Sequence, residues 1–184
     1  MNELEQNVKL KPEDFVALLY PYAEATQNET GMSAIAILAQ AALESGWNSS
    51  CAGWSYFGVK APAGTLNENK QLLTTTEYSH RSDLTFPEII SVESVIRNGQ
   101  NYFKYKVKDY FMKYESPEEC FTDHANFLIR NPRYSKALEV KDDPIAFVTE
   151  ISLAGYATDP NYAQTLTSIC NRISGILDSG ILNS

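Results

Sequence analysis

Residues 33–47 read SAIAILAQAALESGW, and this stretch decides how the rest of the chain is interpreted. Between Gly31 and Leu43 there is no charged residue, and the apolar side chains fall on every side of a helical projection. A helix that is apolar all round is normally buried in a core. The stretch is therefore predicted to be a buried helix that ends at Ser45 and Gly46.

The last turn of this predicted helix holds one carboxylate, Glu44. The negative end of the helix dipole disfavours ionisation there, and partial burial would do the same. Both effects raise the pKa of a carboxyl group toward values that suit a general acid. A solvent-exposed glutamate at a fraying helix end explains the same residues, so the pattern alone leaves both interpretations open.

Composition limits the class of protein. The chain has 184 residues, 43% of them hydrophobic and 21% charged, which is typical of one soluble globular domain. The net charge of −8 argues against a nucleic-acid partner. No apolar run approaches the length of a membrane span, so no membrane insertion is expected. The polar N-terminus is unlike a signal peptide. We expect a flexible N-terminus over residues 1–11 and a single catalytic domain over residues 12–178.

Neither a metal nor a cofactor is predicted. Two histidines, His80 and His124, cannot alone build a zinc site, and there is no glycine-rich phosphate loop. The three cysteines, Cys51, Cys120 and Cys170, are too widely spaced for a disulfide framework. Buried or free thiols are expected for them, with one disulfide still possible.

The remaining pattern predicts a mainly helical α+β fold with one small β lobe. Helices are expected after Pro12, after the Ser116–Pro117 cap, and after the Asp143–Pro144 and Asp159–Pro160 pairs. The inward-facing side chains of these helices are predicted to be Phe15, Leu18, Leu19 and Tyr22 in the first, Cys120, Phe121, Phe127 and Leu128 in the second, and Tyr162, Leu166, Ile169, Ile173 and Leu177 in the last. Strands are expected over residues 71–79 and 101–108. Residues 80–100 are predicted to be an ordered insertion with a short helix possible.

Several motifs follow one another in an order that resembles the lysozyme-like N-acetylglucosaminidase family, which includes flagellar peptidoglycan hydrolases and bacterial autolysins. The motifs are AQAALESGW at 39–47, YFGVK at 56–60, TTEY at 75–78, YES at 114–116, DH at 123–124, NPRY at 131–134 and AGYATDP at 154–160. The likeness runs from about Pro12 to Ile176. The chain departs from the family pattern at Asn48 and Ser55, beside the candidate acid.

This resemblance implies a lysozyme-like helical domain with a β-hairpin lobe flanking the active-site cleft. It also implies an endo-β-N-acetylglucosaminidase that cuts the β-1,4 bond on the reducing side of N-acetylglucosamine in peptidoglycan. Glu44 would be the general acid, Glu77 the second catalytic group across a cleft, and Tyr156 a catalytic residue near the cleaved bond. The substrate-binding residues would be Ser45, Trp54, Phe57, Tyr114 and Asp123.

The residue patterns also predict supporting roles for other residues and leave alternative functions open. His124 is expected to be a core histidine, Asp159 a helix cap, and Asp123 a supporting residue that orders the β lobe, orients a water or pairs with a base. A muramidase or lytic transglycosylase of similar fold, or a non-catalytic glycan-binding or assembly module, remains an alternative. The expected partner is the glycan strand of peptidoglycan, bound by a monomer acting on the cell wall, periplasmic or extracellular. A phage lysin, an injected effector and a domain cut from a longer autolysin all fit.

Overall fold

The computed structural model describes residues 8–157 and 159–180. Two compact units appear, and they are described separately. The helical unit comprises the chain up to Phe57 and the chain from Tyr114 onward; the sheet unit is Gly58–Lys113. The α+β, mainly helical class predicted from the sequence is confirmed.

The helices of the helical unit alternate with short turns. They are α1 (Pro12–Thr30), α2 (Ala34–Ser45), α3 (Pro117–Arg130), α4 (Ser135–Glu139), α5 (Pro144–Leu153) and α6 (Tyr162–Asp178). Single turns of 3-10 helix lie at Ala52–Trp54 and Pro132–Tyr134.

Helix α2 forms the centre of the helical unit, as its apolar sequence predicts. It packs against α1, α5 and α6, and residues 36–42 are all completely buried. The Ser33 hydroxyl accepts a hydrogen bond from the amide of Ala36 and caps the start of the helix. Gly46 ends it in the left-handed region, at φ +65°. Each buried Ile or Leu contributes about 1.5–3 kcal/mol relative to exposure.

The first helix differs in detail from the prediction. Leu18 was expected to face inward but is 46% exposed, because the buried stripe follows Phe15, Leu19 and Ala23. Of the N-terminal segment predicted to be flexible, residues 1–7 lie outside the described residues. Residues 8–10 are hydrogen-bonded: the Leu10 amide donates to the carbonyl of Trp47, and the Ser49 amide donates to the carbonyl of Val8.

The predicted caps have mixed outcomes. Ser116 and Asp143 accept backbone hydrogen bonds at the starts of α3 and α5, as expected. Asp159 instead accepts from the amide of Asn161, and α6 begins only at Tyr162, because residues 159–161 form a separate turn.

The buried faces of α3 and α6 differ slightly from the predicted ones. Phe127 was predicted to be buried but is 39% exposed. In α6 the most buried positions include Cys170 and Ile176, one residue from the predicted Ile169 and Leu177.

The sheet unit is a three-stranded antiparallel sheet with the order β1–β3–β2. The strands are β1 (Lys70–Ser79), β2 (Glu88–Arg97) and β3 (Gln100–Met112). The predicted alternation along β1 is confirmed, since Thr75, Glu77 and Ser79 are half-buried and Thr74, Thr76 and Tyr78 are exposed. The two ends of this unit meet, because the Met112 amide donates to the Val59 carbonyl at 2.8 Å.

Residues 80–100 form the ordered insertion that was predicted, but its regular element is a strand and not the short helix considered possible. That segment supplies β2, which pairs with β3 through a two-residue turn at Asn98 and Gly99. Both turn residues have positive φ, +50° and +75°, as a type I′ hairpin turn requires. The apolar side chains that suggested buried structure, Ile89, Ile90, Val92 and Ile96, are 44–74% exposed along this edge strand.

All three cysteines lie in the helical unit and are free thiols, Cys120 and Cys170 fully buried and Cys51 half-buried. Burial raises the pKa of the Cys51 thiol to about 11. In the described part of the chain, no helix combines the length and the apolar character needed to cross a membrane.

Candidate active site

Glu44 lies in the last turn of α2, where the buried helix reaches the surface. The residue is exposed to solvent, yet the protein packed around its carboxyl group removes enough water to raise its pKa. The two observations describe different things: one face of the side chain is open while the other contacts protein. A hydrogen bond from Tyr162 partly opposes the rise in pKa, because it favours the carboxylate. The carboxyl group is therefore accessible to solvent and has a pKa above its ordinary value.

Behind Glu44, a row of hydrogen bonds runs into the core. The Tyr162 hydroxyl on α6 donates to Glu44 Oε1 at 3.0 Å. Gln40 Nε2 donates to the same hydroxyl at 3.5 Å, and Gln40 Oε1 lies 3.2 Å from Nε2 of His124 on α3. Gln40 and His124 are completely buried, and Tyr162 is 5% exposed. Three helices thus contribute one polar side chain each to the support of Glu44.

His124 is the innermost member of this row. Its ring stacks on Phe57 at a centroid distance of 3.8 Å and an interplanar angle of 5°. Burial lowers the pKa of His124 to about 3, so the imidazole is neutral near pH 7. The prediction of a core histidine is confirmed, with one addition: its Nδ1 atom is buried and has no hydrogen-bond partner among the described residues.

Tyr156 lies in the turn that follows α5 and is half-buried. Its ring stacks on that of Tyr162 at 5.7 Å and 20°. Burial, together with the charge of Glu44, strongly raises the pKa of the Tyr156 phenol, so it is a neutral hydrogen-bond donor beside the acid. The helical unit therefore brings Glu44 and Tyr156 together, as the sequence predicted. Thr158, in the same motif, lies outside the described residues.

Three of the predicted substrate-binding residues are engaged with protein. Phe57 is 4% exposed and supports the His124 ring, so it has no open face for a sugar. Tyr114 is also 4% exposed, and its hydroxyl donates to Asp123 Oδ2 at 2.9 Å. This bond joins Asp123 to Tyr114 within the helical unit, and the supporting role of Asp123 stays a prediction. Ser45 Oγ is buried and has no partner among the described residues.

Trp54 is the predicted sugar-binding aromatic that remains partly accessible. It adopts a left-handed backbone conformation, φ +52°, which a bulky residue rarely takes. It lies in a groove of about 670 Å³ on the helical unit. The groove is lined by residues of α1 and of the loops before α3, among them Leu18, Tyr22, Ser49 and Glu115. Glu44 is not among its lining residues, so this groove and the candidate acid are separate features.

The second predicted catalytic carboxylate, Glu77, lies near the C-terminal end of β1 in the sheet unit. Lys60 Nζ contacts Glu77 Oε1 at 2.8 Å and Asp109 Oδ2 at 2.9 Å. Burial lowers the pKa of Lys60, but the two carboxylates outweigh that effect and raise it overall. The ammonium group is thus shared by two acids, and the Glu77 side chain is one-third exposed.

Sequence reasoning assigned no site role to Gln40 or Tyr162. The sequence does single out Gln40, because it is a polar residue within an apolar run. It also lies one helical turn before Glu44 and on the same face of the helix. The sequence does not single out Tyr162, because an aromatic residue at a core position of an amphipathic helix predicts packing. Its role depends on how α6 crosses α2, and only the folded structure shows that.

Solved structures of a glycoside hydrolase domain and of a peptidoglycan hydrolase share this fold. A structure of a C-terminally truncated glycoside hydrolase domain from Salmonella typhimurium FlgJ is 32% identical, with a TM-score of 0.65, and the match covers 90% of this chain and 99% of that one. A peptidoglycan hydrolase mutant from Sphingomonas sp. A1 also has a TM-score of 0.65 at 28% identity, covering 91% and 99%. The class is therefore the lysozyme-like α+β domain found in glycoside hydrolases.

The family model described as mannosyl-glycoprotein endo-beta-N-acetylglucosaminidase matches residues 20–175, and the chain belongs to this glucosaminidase family. Among curated proteins, the peptidoglycan hydrolase FlgJ of Salmonella typhimurium is 35% identical over 173 residues, which is 89% of this chain and 46% of the relative. The chain thus spans about half the length of the curated relatives it matches. The family predicted from the ordered motifs is confirmed.

Proposed function

We propose that this protein is a peptidoglycan hydrolase, an endo-β-N-acetylglucosaminidase, and that Glu44 is its general acid. The observation that carries the proposal is the carboxyl group at the exposed end of a buried helix, with a raised pKa and a tyrosine hydroxyl holding one of its oxygens. Family membership supplies the reaction class, and the FlgJ relatives supply peptidoglycan as the substrate. The site of action is then the cell wall, in the periplasm or outside the cell.

In the proposed reaction, Glu44 donates its proton to the glycosidic oxygen as the bond from that oxygen to the sugar C1 breaks. A water molecule adds to C1, and its proton passes to a base. Glu77 is our candidate for that base. In the alternative, the acetamide oxygen of the substrate attacks C1 first, and water then opens the resulting oxazolinium ring while the Glu44 carboxylate takes the proton of the water. Tyr156, a neutral phenol beside Glu44, is our candidate donor of a hydrogen bond to the sugar next to the cleaved bond. Trp54, partly accessible and backbone-strained, is our candidate for a sugar-stacking residue.

The first test is hydrolysis of purified peptidoglycan by the Glu44→Gln variant. We expect its kcat to fall by about 10²–10⁴-fold, because the amide has the shape of the acid but no acidic proton to transfer to the leaving oxygen. An active Glu44→Gln variant with an unchanged melting curve would remove Glu44 from the acid role.

The second test uses the Glu77→Gln variant in the same assay. This substitution should lower kcat more than it raises KM if Glu77 acts in the transition state. A Glu77→Gln variant that only binds glycan more weakly would make Glu77 a contact residue.

The bond that is cut is identified from the new reducing ends. After borohydride reduction, N-acetylglucosaminitol is the expected product. N-acetylmuramitol would indicate a muramidase, and an anhydro sugar a lytic transglycosylase. Binding of glycan without any new reducing end, at protein concentrations where hydrolases are active, would support a binding module instead.

A further inference from the structure

The hydrogen bonds behind Glu44 have a direction, and the chemistry of each group fixes it. An amide oxygen only accepts and an amide nitrogen only donates. With Gln40 Oε1 facing His124, the imidazole must donate through Nε2–H. The Gln40 amide nitrogen then donates to the Tyr162 oxygen, and the Tyr162 hydrogen is left to donate to Glu44 Oε1. Every donor in the row points toward the carboxyl group.

The opposite direction is excluded by the unpartnered atom on His124. Reversal would turn the Gln40 amide around, so that its nitrogen donated to Nε2 and the imidazole hydrogen moved to Nδ1. Nδ1 is buried and faces no acceptor in the described part of the chain, so reversal would create an orphaned buried N–H. A buried N–H without a partner is rarer and more costly than an unused lone pair. A doubly protonated ring is also excluded, because burial holds the pKa of His124 near 3.

We propose that His124, Gln40 and Tyr162 are positioning residues that select which oxygen of Glu44 carries the catalytic proton. Because Oε1 always accepts from Tyr162, the acidic hydrogen is confined to Oε2. The proton is then held on the oxygen that faces away from the core row. This inference rests on the proposed role of Glu44 as the acid. It adds to that role the identity of the donating oxygen and the residues that impose it.

The kinetic test compares Tyr162→Phe with a matched control, Tyr56→Phe. Tyr56 is equally buried and its hydroxyl also donates one hydrogen bond, to the Ser49 carbonyl, away from the row. We expect Tyr162→Phe to lower kcat by about 10–100-fold with little change in KM, since a misoriented acid loses part of its effect. Tyr56→Phe should keep kcat within about twofold, at a similar cost in stability.

A pH profile separates positioning from simple destabilisation. Among the described residues, the titratable groups that interact with Glu44 are Tyr162 from α6 and Tyr156 from the turn after α5, and both phenols stay neutral near pH 7. Removing the Tyr162 hydroxyl removes a bond that favours the carboxylate, so the pKa of Glu44 should rise further. The alkaline limb of the kcat profile, where the acid loses its proton, should therefore move to higher pH in Tyr162→Phe and stay in place in Tyr56→Phe.

The inner end of the row is tested with two replacements of His124. His124→Gln can place an amide nitrogen where Nε2 stands, and His124→Leu cannot donate at all. We expect kcat to fall in His124→Leu and to be largely retained in His124→Gln. Nitrogen-15 NMR gives a readout that needs no activity: the unmodified protein should show the Nε2–H tautomer at His124. With only one other histidine, His80, a His80→Gln variant assigns the signal.

Specific results would overturn the proposal. An Nδ1–H tautomer at His124 contradicts the direction of the row even if no His124 variant folds. A kcat within about twofold of the parent in Tyr162→Phe, in an assay where Glu44→Gln is inactive, leaves the acid in place and rejects the row as its positioning device. An active Glu44→Gln variant rejects the proposed function, and the positioning proposal with it.

Discussion

His124 links the stability of the helical unit to pH. It is completely buried between Phe57 and Gln40, and burial lowers the pKa of the ring to about 3. In the unfolded chain the ring would titrate near the ordinary value of about 6.5. Between these two values the unfolded state binds more protons than the folded state, so stability is lost as the pH falls.

We expect the free energy of unfolding to decrease from about pH 6.5 downward, with His124 contributing up to about 1.4 kcal/mol per pH unit. Urea denaturation at pH 7, 6, 5 and 4 measures the slope. His124→Gln does not titrate and should show a shallower slope. The matched control, His80→Gln, removes an exposed histidine and should keep the parental slope. Equal slopes in all three proteins would show that folding does not lower the pKa of His124.

Glu44 changes the pH dependence of stability in the opposite sense to His124. Its pKa is raised in the folded protein, so the folded state binds the proton more tightly. The stability that this provides is present at low pH and is lost as the pH rises through the raised pKa. Near neutral pH the helical unit therefore keeps a partly desolvated carboxyl group that does not stabilise it. The proposed acid role explains why such a group is retained at the end of the most buried helix.

At the scale of elements, α2 and β2 show what the sequence could and could not predict. The apolar run of α2 is compatible only with a buried helix, because no surface helix could leave Ile37 and Leu38 facing water. In β2 five of ten residues are apolar, against nine of twelve in α2, and four of those five side chains are exposed on an edge strand. Hydrophobicity alone therefore did not predict this strand. The better signal was the Asn98–Gly99 pair, which predicts a hairpin turn through backbone conformation rather than burial.

Gly99 is the residue on which that hairpin depends. Its φ of +75° is unfavourable for any residue with a Cβ, although no atom within 4 Å would meet one. We expect Gly99→Ala to destabilise the β2–β3 pairing by about 1–2 kcal/mol, through backbone strain alone. Hydrogen exchange of the β2 and β3 amides measures the effect.

Gly175 on α6 provides a control with the opposite sign. It has no positive φ, and it likewise has open space around its Cβ position. Gly175→Ala should therefore stabilise the helical unit by about 0.5–1 kcal/mol. If Gly99→Ala left β2 and β3 exchange unchanged, the turn would not be limiting for the hairpin.

At the scale of the whole molecule, the two units differ in how much they bury. In the sheet unit, Tyr105 and Val107 are the buried hydrophobic side chains among residues 58–113, all of which are described. The helical unit buries most of α2 and the inner faces of α1, α3, α5 and α6. Local opening costs less free energy where fewer apolar contacts are lost.

We therefore expect amide hydrogens of β1 and β2 to exchange at lower free energy than those of residues 36–42 in α2. Tryptophan fluorescence provides the companion measurement, since Trp47 and Trp54 both lie in the helical unit and report its unfolding alone. A sheet that opens first would show exchange before any change in fluorescence on adding urea. Equal protection of the two units would mean that they unfold as one.

Charge is also unevenly distributed between the units. The sheet unit has eight Lys and Arg residues against six Asp and Glu, a net charge of +2. The remainder of the chain has seven against seventeen, a net charge of −10. The overall charge of −8 therefore belongs to the helical part. An anionic polymer would meet less repulsion at the sheet unit than the total charge suggests.

The hydrogen bond that joins Val59 and Met112 closes the sheet unit at its base. Loop-closure entropy depends on the separation of the ends, which this bond fixes, and changes only slowly with the length of chain between them. Residues added to or removed from the tip near Gly99 would leave the two ends where they are. The unit can accordingly vary in length, or be exchanged for another hairpin closed at the same base, while the connections to the helical unit stay the same. A fold with such an insertion can diversify one part without refolding the other.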